Sequence, residues 1–348
     1  MRRASGLIAG LLVAIACLAS AASASATGAA IAYVTGGNSG LPHIWVANGR
    51  GGQRRKVGEG TGPLLAPNGL TVAAINVGSN GPALTLYPAI AGSATGYFNP
   101  ARVSASALAW SPDSRYLAVA LTGVNLPSLS GYGLEIIDTV TGTEQMIAKG
   151  VIYGASFAPG SSDRLVYARA SSLRETAASN IFTVAANGAG RKQITTDGRS
   201  ASPLWGARGI AFDHGRLRKG FAPLDQIWLM QPNGRHRRQI THIQVGPLAE
   251  GLVPLAFSAD GTRLAAEFEG EDTSIGYSVS VHTGHATQLK VGNQAVNAWG
   301  ITRSGHSVLI SVGGFMAPAS RGKLERIPFF GGHPTLLIAH GNYASWNL

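Results

Sequence analysis

Cysteine is almost missing from this chain: Cys17 is the only one in 348 residues, and it lies in a segment marked for removal. A mature chain without it has no disulfide, no thiolate nucleophile and no cysteine-ligated metal. Charge is sparse at 13%, and acids are the scarcer sign, 17 against 28 bases. HExxH, the Walker loop, the dinucleotide-binding glycine motif and GxSxG are all absent, which removes the commonest one-motif routes to hydrolysis, phosphoryl transfer and hydride transfer. No sustained 3.6-residue apolar periodicity follows residue 26, and no later apolar run is long enough for a membrane-spanning helix. What is abundant is glycine, 47 residues, between short runs of Val, Ile, Leu and Ala. Many short strands separated by Gly, Pro, Asn and Asp read as an all-β fold.

The first 26 residues read as a signal peptide. Arg2 and Arg3 form a basic n-region, Leu7–Ala19 an apolar h-region, and Ala24-Ser25-Ala26 an A-x-A cleavage site. The expected mature chain, 27–348, is exported to the periplasm, cell envelope or exterior. Lipid attachment at Cys17 is the alternative, although Ala14-Ile15-Ala16 lacks the leucine usual three residues before such a cysteine. No linker or composition shift divides residues 27–348, so one domain is expected.

That domain is organised around Leu108–Val119, LAWSPDSRYLAV. An apolar run ends in Trp110, Ser111-Pro112-Asp113-Ser114 turns the chain, and a second apolar run starts at Tyr116. Proline presets φ, and Ser and Asp side chains bond nearby backbone, so the stretch reads as strand, turn, strand. The pattern returns around Pro67-Asn68-Gly69, Pro159-Gly160, Ala207-Arg208-Gly209, Ala259-Asp260-Gly261 and Arg303-Ser304-Gly305. These turns lie about 43–52 residues apart, near the repeat of a four-stranded propeller blade. The second half of the repeat is clearest at Ile44–Val57, Ile181–Thr195 and Ile227–Thr241. There a strand with an aromatic second residue meets an Asn-Gly turn, which tolerates positive φ, and returns as a basic strand.

First strands fall at Gly62–Ala66, Ser106–Trp110, Tyr153–Phe157, Pro203–Trp205, Val253–Phe257 and Val296–Ile301. Tyr343–Leu348 reads as one more with nothing after it, whereas Ile31–Val34 reads as a second strand with nothing before it. The expected fold is a single seven-bladed β-propeller of four-stranded blades, its ring closed by the C-terminal strand pairing into the N-terminal blade. Six blades is the alternative, because the stretch Gly62–Phe98 is short.

Leu108–Val119 together with Ile227–Thr241 resembles the WD40-like (PD40) repeat of the TolB propeller family, whose form is aromatic, Ser-Pro-Asp-Gly, apolar strand, Ile-aromatic strand, Asp-Gly, and a basic-x-Leu-Thr ending. The resemblance spans residues 29–348, with Asn68, Arg208 and Ser304 standing where Asp is usual. It implies protein–protein or envelope-associated interaction rather than catalysis.

Residue types that carry chemistry are scattered. Asp113 and Asp260 sit in strand–turn–strand units and are expected to bind turn N–H groups. Trp110, Phe157, Trp205, Phe257 and Trp299 are expected to pack between blades. The nine histidines are spread over turns and strand ends, and His282 and His285 have no neighbouring pair to complete a metal site. Glu267–Asp272 concentrates acids; a solvated hairpin end is expected, with a calcium loop as the alternative. Basic clusters lie at Arg50–Lys56, Arg191-Lys192, Arg216–Lys219, Arg235–Arg238 and Arg321–Arg326. Three of them fall at equivalent third-to-fourth-strand positions, on the outer rim of one face, where positive charge serves solubility and edge protection or attracts anionic envelope polymers. Long loops between second and third strands carry Leu126, Tyr132, Arg174, Arg218, Phe221, Phe315 and Met316. Exposed aromatics beside arginines on a rigid scaffold are the expected binding face. The resulting expectation is a monomeric, non-catalytic module without cofactor or metal, binding a protein or an anionic envelope polymer and not nucleic acid. The competing expectation is a lactonase-like propeller hydrolase with a metal in the central channel.

Overall fold

A computed structural model describes residues 29–36, 41–76, 81–99, 101–123, 129–173, 177–218, 221–244, 249–270, 273–313 and 322–347; the segment expected to be a signal peptide lies outside them. All regular structure among these residues is β. The first sheet places Arg55–Glu59, His43–Ala47 and Ile31–Thr35 side by side and adds Asn342–Trp346 from the other end of the chain. The second runs Thr61–Leu65, Thr71–Ile75, Leu84–Pro88, Thr95–Tyr97. The third runs Val103–Trp110, Tyr116–Gly123, Gly133–Asp138, Thr143–Lys149, and the fourth Val151–Phe157, Arg164–Ala170, Ser179–Ala185, Lys192–Gln193. The fifth holds Ser200–Gly206, Gly209–Arg218, Phe221–Met230 and Arg238–Gln239. The sixth holds Ala249–Phe257, Arg263–Gly270, Thr273–Ser280 and Ala286–Gln288, and one parallel bridge, Asp225 to Gly251, joins it to the fifth. The seventh runs Asn297–Ile301, Ser307–Val312, Lys323–Pro328, Thr335–Ile338.

The apolar second strands are buried on both faces, which is why they read as continuous runs rather than alternating ones. In Arg164–Ala170, Leu165 and Tyr167 pack toward Leu134 and Ile136 of the third sheet, while Val166 and Ala168 pack toward Ile210 and Phe212 of the fifth. Each hydrophobic cluster is drawn mainly from two neighbouring sheets. One of them joins Leu309, Leu324 and Leu337 of the seventh sheet to Ile31, Tyr33 and Ala344 of the first. The expected inter-sheet role of the first-strand aromatics holds: Trp110 lies in the cluster between second and third sheets, and its Nε1 donates to the Leu64 carbonyl at 3.0 Å.

The turn chemistry is also as expected. Ser111 Oγ donates to Asp113 Oδ1 at 2.5 Å, and Asp113 accepts the Arg115 N–H at 3.0 Å. Ser258 and Asp260 repeat this at 2.6 Å, with the Thr262 N–H on Asp260 at 3.0 Å. Hydrogen bonds from Ser258 and from Thr262 hold the Asp260 carboxyl down at about 2. Ser114 adopts φ 65° where Gly261 and Gly305 stand in the sister turns.

Two devices had no clear sequence signal. First, every innermost strand carries a register shift, for example between Ala107 and Ala109, Ile152 and Ala155, and Ala201 and Leu204. Such bulges bend a strand and sharpen its twist. Second, part of the basic rim is built into the joints between sheets. Arg237 donates to the Ile194 carbonyl at 2.5 Å, Arg54 to Leu337 at 3.1 Å and Arg238 to Val281 at 3.0 Å, each acceptor lying on an adjacent sheet. Beside the first of these, Gly234 (φ 84°) lies so close that a Cβ would come within 2.5 Å of the Ile194 oxygen. The glycine of the Asn-Gly turn therefore serves the joint as well as the turn.

Candidate functional site

Among the residues expected at the binding face, Leu126, Arg174, Phe315 and Met316 lie outside the described residues. Arg218 and Phe221 are paired backbone to backbone at the tip of the hairpin between second and third strands of the fifth sheet. Tyr132, half-buried, precedes the third strand of the third sheet, where its N–H donates to the Leu129 carbonyl at 3.1 Å. The described residues thus place Arg218 and Phe221 together and put Tyr132 two sheets away.

Beneath the Arg218–Phe221 tip the fifth sheet opens a cavity of about 360 Å³, lined by Arg199, His214, Gln226, Trp228, Gln239 and His242 among others. It exists because the fourth strand is only two residues long, Arg238–Gln239, and leaves the third strand uncovered beyond it. Gln226 is buried and rigid: its Oε1 accepts Thr241 Oγ1 at 2.9 Å and the Ile243 N–H at 3.1 Å, and its Nε2 donates to the Ile243 carbonyl at 3.1 Å. Thr241 Oγ1 in turn accepts the Ile227 N–H at 2.9 Å. The His214 ring meets Trp228 edge-on, with centroids 5.1 Å apart. Burial, the larger influence, lowers the His214 pKa against the opposing pull of Asp197. The wall is therefore a neutral imidazole, an indole and fixed amides, with Arg199 supplying positive charge.

Ser200, His214 and Asp197 resemble a catalytic set in composition, but their geometry is structural. Ser200 Oγ donates to Asp197 Oδ1 at 2.9 Å and lies 3.4 Å from His214 Nδ1, and Asp197 Oδ1 is 3.8 Å from that same nitrogen. A relay needs serine and aspartate on opposite ring nitrogens. Ser200 is also fully buried, and the second Asp197 oxygen is held by Arg237 at 2.9 Å.

Of the acidic stretch Glu267–Asp272, Glu269 is exposed next to the hairpin end as expected, but Glu267 is not solvated. Glu267 is 7% exposed; it accepts hydrogen bonds from Ser274 Oγ, from Asn297 Nδ2 at 2.9 Å and from the Ala298 N–H at 2.9 Å. It thereby ties the sixth sheet to the seventh, and burial pushes its carboxyl up. Glu271 and Asp272 lie outside the described residues. Asp213, in the second strand of the fifth sheet, is a further buried acid: its Oδ1 has no hydrogen-bond partner, and burial pushes its carboxyl up to about 6. Among the described residues no group of three or more His, Cys, Asp or Glu side chains is placed to hold a metal ion.

Sequence reasoning missed His214, Gln226 and Trp228. The available signal was the repeat itself: Gln226 stands just before the Ile-aromatic pair, where its counterpart Asn180 accepts the Gly198 N–H at 3.0 Å. Side chains at this position face the link to the next sheet, and the larger Gln holds that link through Ile243.

No protein-family model matches the sequence, and no curated protein matches it. Solved structures do. TolB from Acinetobacter baumannii aligns with 91% of this chain and 66% of its own, at 15% identity and a TM-score of 0.53. The β-propeller domain of the Trilobed protease from Pyrococcus furiosus, described as having an open velcro topology, aligns over 91% and 97% at 14% identity and 0.62. An oligogalacturonate lyase in complex with manganese aligns over 90% and 86% at 14% identity and 0.57. At these identities the likeness establishes the fold alone, a β-propeller, a fold that the set shows in TolB, in part of a protease and in a lyase.

Proposed function

We propose that this chain is an exported, non-catalytic propeller that binds a protein or an anionic envelope polymer through the loop face of its fifth sheet. The observation that carries the reading is the cavity beneath Arg218 and Phe221. It is walled by Trp228, His214, Gln226 and Arg199, groups that recognise through stacking and hydrogen bonds. The serine and aspartate nearest to it have their hydrogen bonds committed to the fold. Export rests on the leader read at residues 1–26, with residues 27–348 as the mature domain.

The scaffold is seven blades closed into a ring by Asn342–Trp346. Ile31 pairs with Trp346, and Ser345 Oγ accepts the Leu65 N–H at 2.9 Å. Ser156 Oγ accepts the Trp205 N–H at 3.1 Å in the same way between fourth and fifth sheets. The chain's ends thus meet through the same chemistry as an ordinary joint.

The test is capture from an envelope extract by immobilised protein, comparing wild type with Trp228→Ala and with Arg218→Ala/Phe221→Ala. Loss of the captured component in both variants, with unchanged melting, is the expected result. Equal capture by all three would refute the site. The enzyme reading, favoured by the likeness to a lyase and to puromycin hydrolases, predicts turnover that depends on an added divalent ion.

A further inference from the structure

We infer a second ligand site on the opposite side of the propeller, between the fifth and sixth sheets, that takes a carboxylate carried on an apolar body. Antiparallel strand order places the Ala207-Arg208 turn and the start of Arg238–Gln239 at the end of the fifth sheet away from the Arg218–Phe221 tip. There a cavity of about 500 Å³ is lined by Arg208, Leu229, Arg238, Thr262, Val281 and His282. That size lies within the range of small-molecule sites, about 300–1,000 Å³.

Its floor is apolar and its rim is cationic. Leu229 and Val281 are buried core residues whose outer surfaces close the cavity. Arg208 Nε donates to the Asp260 carbonyl at 3.1 Å, and Arg238 Nη2 donates to the Val281 carbonyl at 3.0 Å. Each guanidinium is therefore oriented by one backbone bond and keeps N–H groups for a ligand. Among the described residues neither arginine has a carboxylate within salt-bridge distance. The nearest acid, Asp260, is engaged by Ser258 Oγ at 2.6 Å and Thr262 Oγ1 at 2.8 Å. Two cations against one occupied carboxylate leave the rim positive.

The next joint shows what such an arginine does when its apolar partner is built in. Between sixth and seventh sheets, Arg263 donates to the Gly305 carbonyl at 2.9 Å and lies over Phe329 and Phe330, 5.0 and 5.3 Å from the ring centroids. Between fifth and sixth sheets Val281 and His282 follow the third strand where Phe329 and Phe330 do in the seventh, so among the described residues an imidazole but no phenyl or indole ring lines the cavity. A ligand with an apolar body would cover Leu229 and Val281 while its carboxylate met Arg208 and Arg238.

The chemistry fits a free apolar acid or the C-terminal residue of a peptide, and the probes separate the two. Hexanoate, hexanamide, acetyl-Ala-Phe with a free carboxylate and its C-terminal amide would be titrated into the full chain by isothermal calorimetry at low salt. Either acid should bind at least tenfold tighter than its amide, and whichever acid binds identifies the source. Arg208→Gln and Arg238→Gln should each weaken binding about tenfold, one charge-assisted hydrogen bond's worth. Arg208→Lys and Arg238→Lys should retain part of it, which keeps the test sound if either glutamine variant unfolds. Equal binding of acids and amides, no binding of either acid, or unchanged affinity in well-folded glutamine variants would overturn the site.

Discussion

Replacing Asp213 by asparagine removes a charge that the fold holds at a cost. The side chain is 7% exposed, its Oδ1 has no partner, and burial outweighs the Ser202 hydroxyl to raise the carboxyl from 3.8 to about 6. The folded state therefore binds the proton more tightly than the unfolded chain. Its contribution to stability is full below pH 3.8 and is lost as pH rises through about 6. A shift of about two units corresponds to roughly 3 kcal/mol at pH 8, but only about 1 kcal/mol at pH 4.5. The amide of D213N is neutral at both, so the stability of the variant relative to wild type should rise by about 2 kcal/mol between pH 4.5 and pH 8. With an unfolding entropy near 2.1 cal/mol/K per residue over about 320 residues, this is a change of about 3 °C in the Tm difference. Any fixed cost of fitting the amide cancels. Calorimetric melts of both proteins at the two pH values would measure it. A Tm difference that stays constant with pH would refute the assignment of Asp213 as a buried, ionisable carboxyl.

Two further outcomes test the joints between sheets. Deleting Tyr343–Leu348 removes most of the strand that pairs with Ile31–Thr35, together with the Asn347 Nδ2 bonds to the Ala66 and Pro67 carbonyls at 3.1 and 3.2 Å. Thermal melting should drop sharply, and S345A alone should cost about 1–3 kcal/mol by leaving the Leu65 N–H unmet. A truncated protein that melts like the intact one would contradict the closed ring. Gly234→Ala should cost over about 2 kcal/mol, combining positive φ with the clash against Ile194, whereas Gly160→Ala, at φ 71° with nothing within 4 Å, should cost only about 1 kcal/mol in urea titration. Equal costs would remove the joint role of Gly234.

The fold was legible because the repeat is written in local chemistry. Ser111-Pro112-Asp113 and Ser258-Ala259-Asp260 announce their turns, and the two-sided burial of Leu165–Ala168 leaves a continuous apolar run. Ser202, at φ 44°, marks a bulge in a residue type that gives no warning. The basic clusters were legible as charge but not as joints, since the carbonyl that Arg237 meets belongs to Ile194, 43 residues earlier. Glu267 misled for the same reason: its partners Asn297 and Ala298 lie on the next sheet, and a cluster of acids read along the chain looks solvated. The cavity beside His214 depends on how short the fourth strand is, which the sequence around Arg238 does not reveal.

The measurement that bears most directly on the central claim is the divalent metal content of the purified mature protein, with parallel melts in chelator. A non-catalytic binding module predicts less than stoichiometric metal and the same Tm with and without chelator. One divalent ion per chain, removed by chelator with a clear fall in Tm, would contradict it and favour an enzyme whose site lies in the channel.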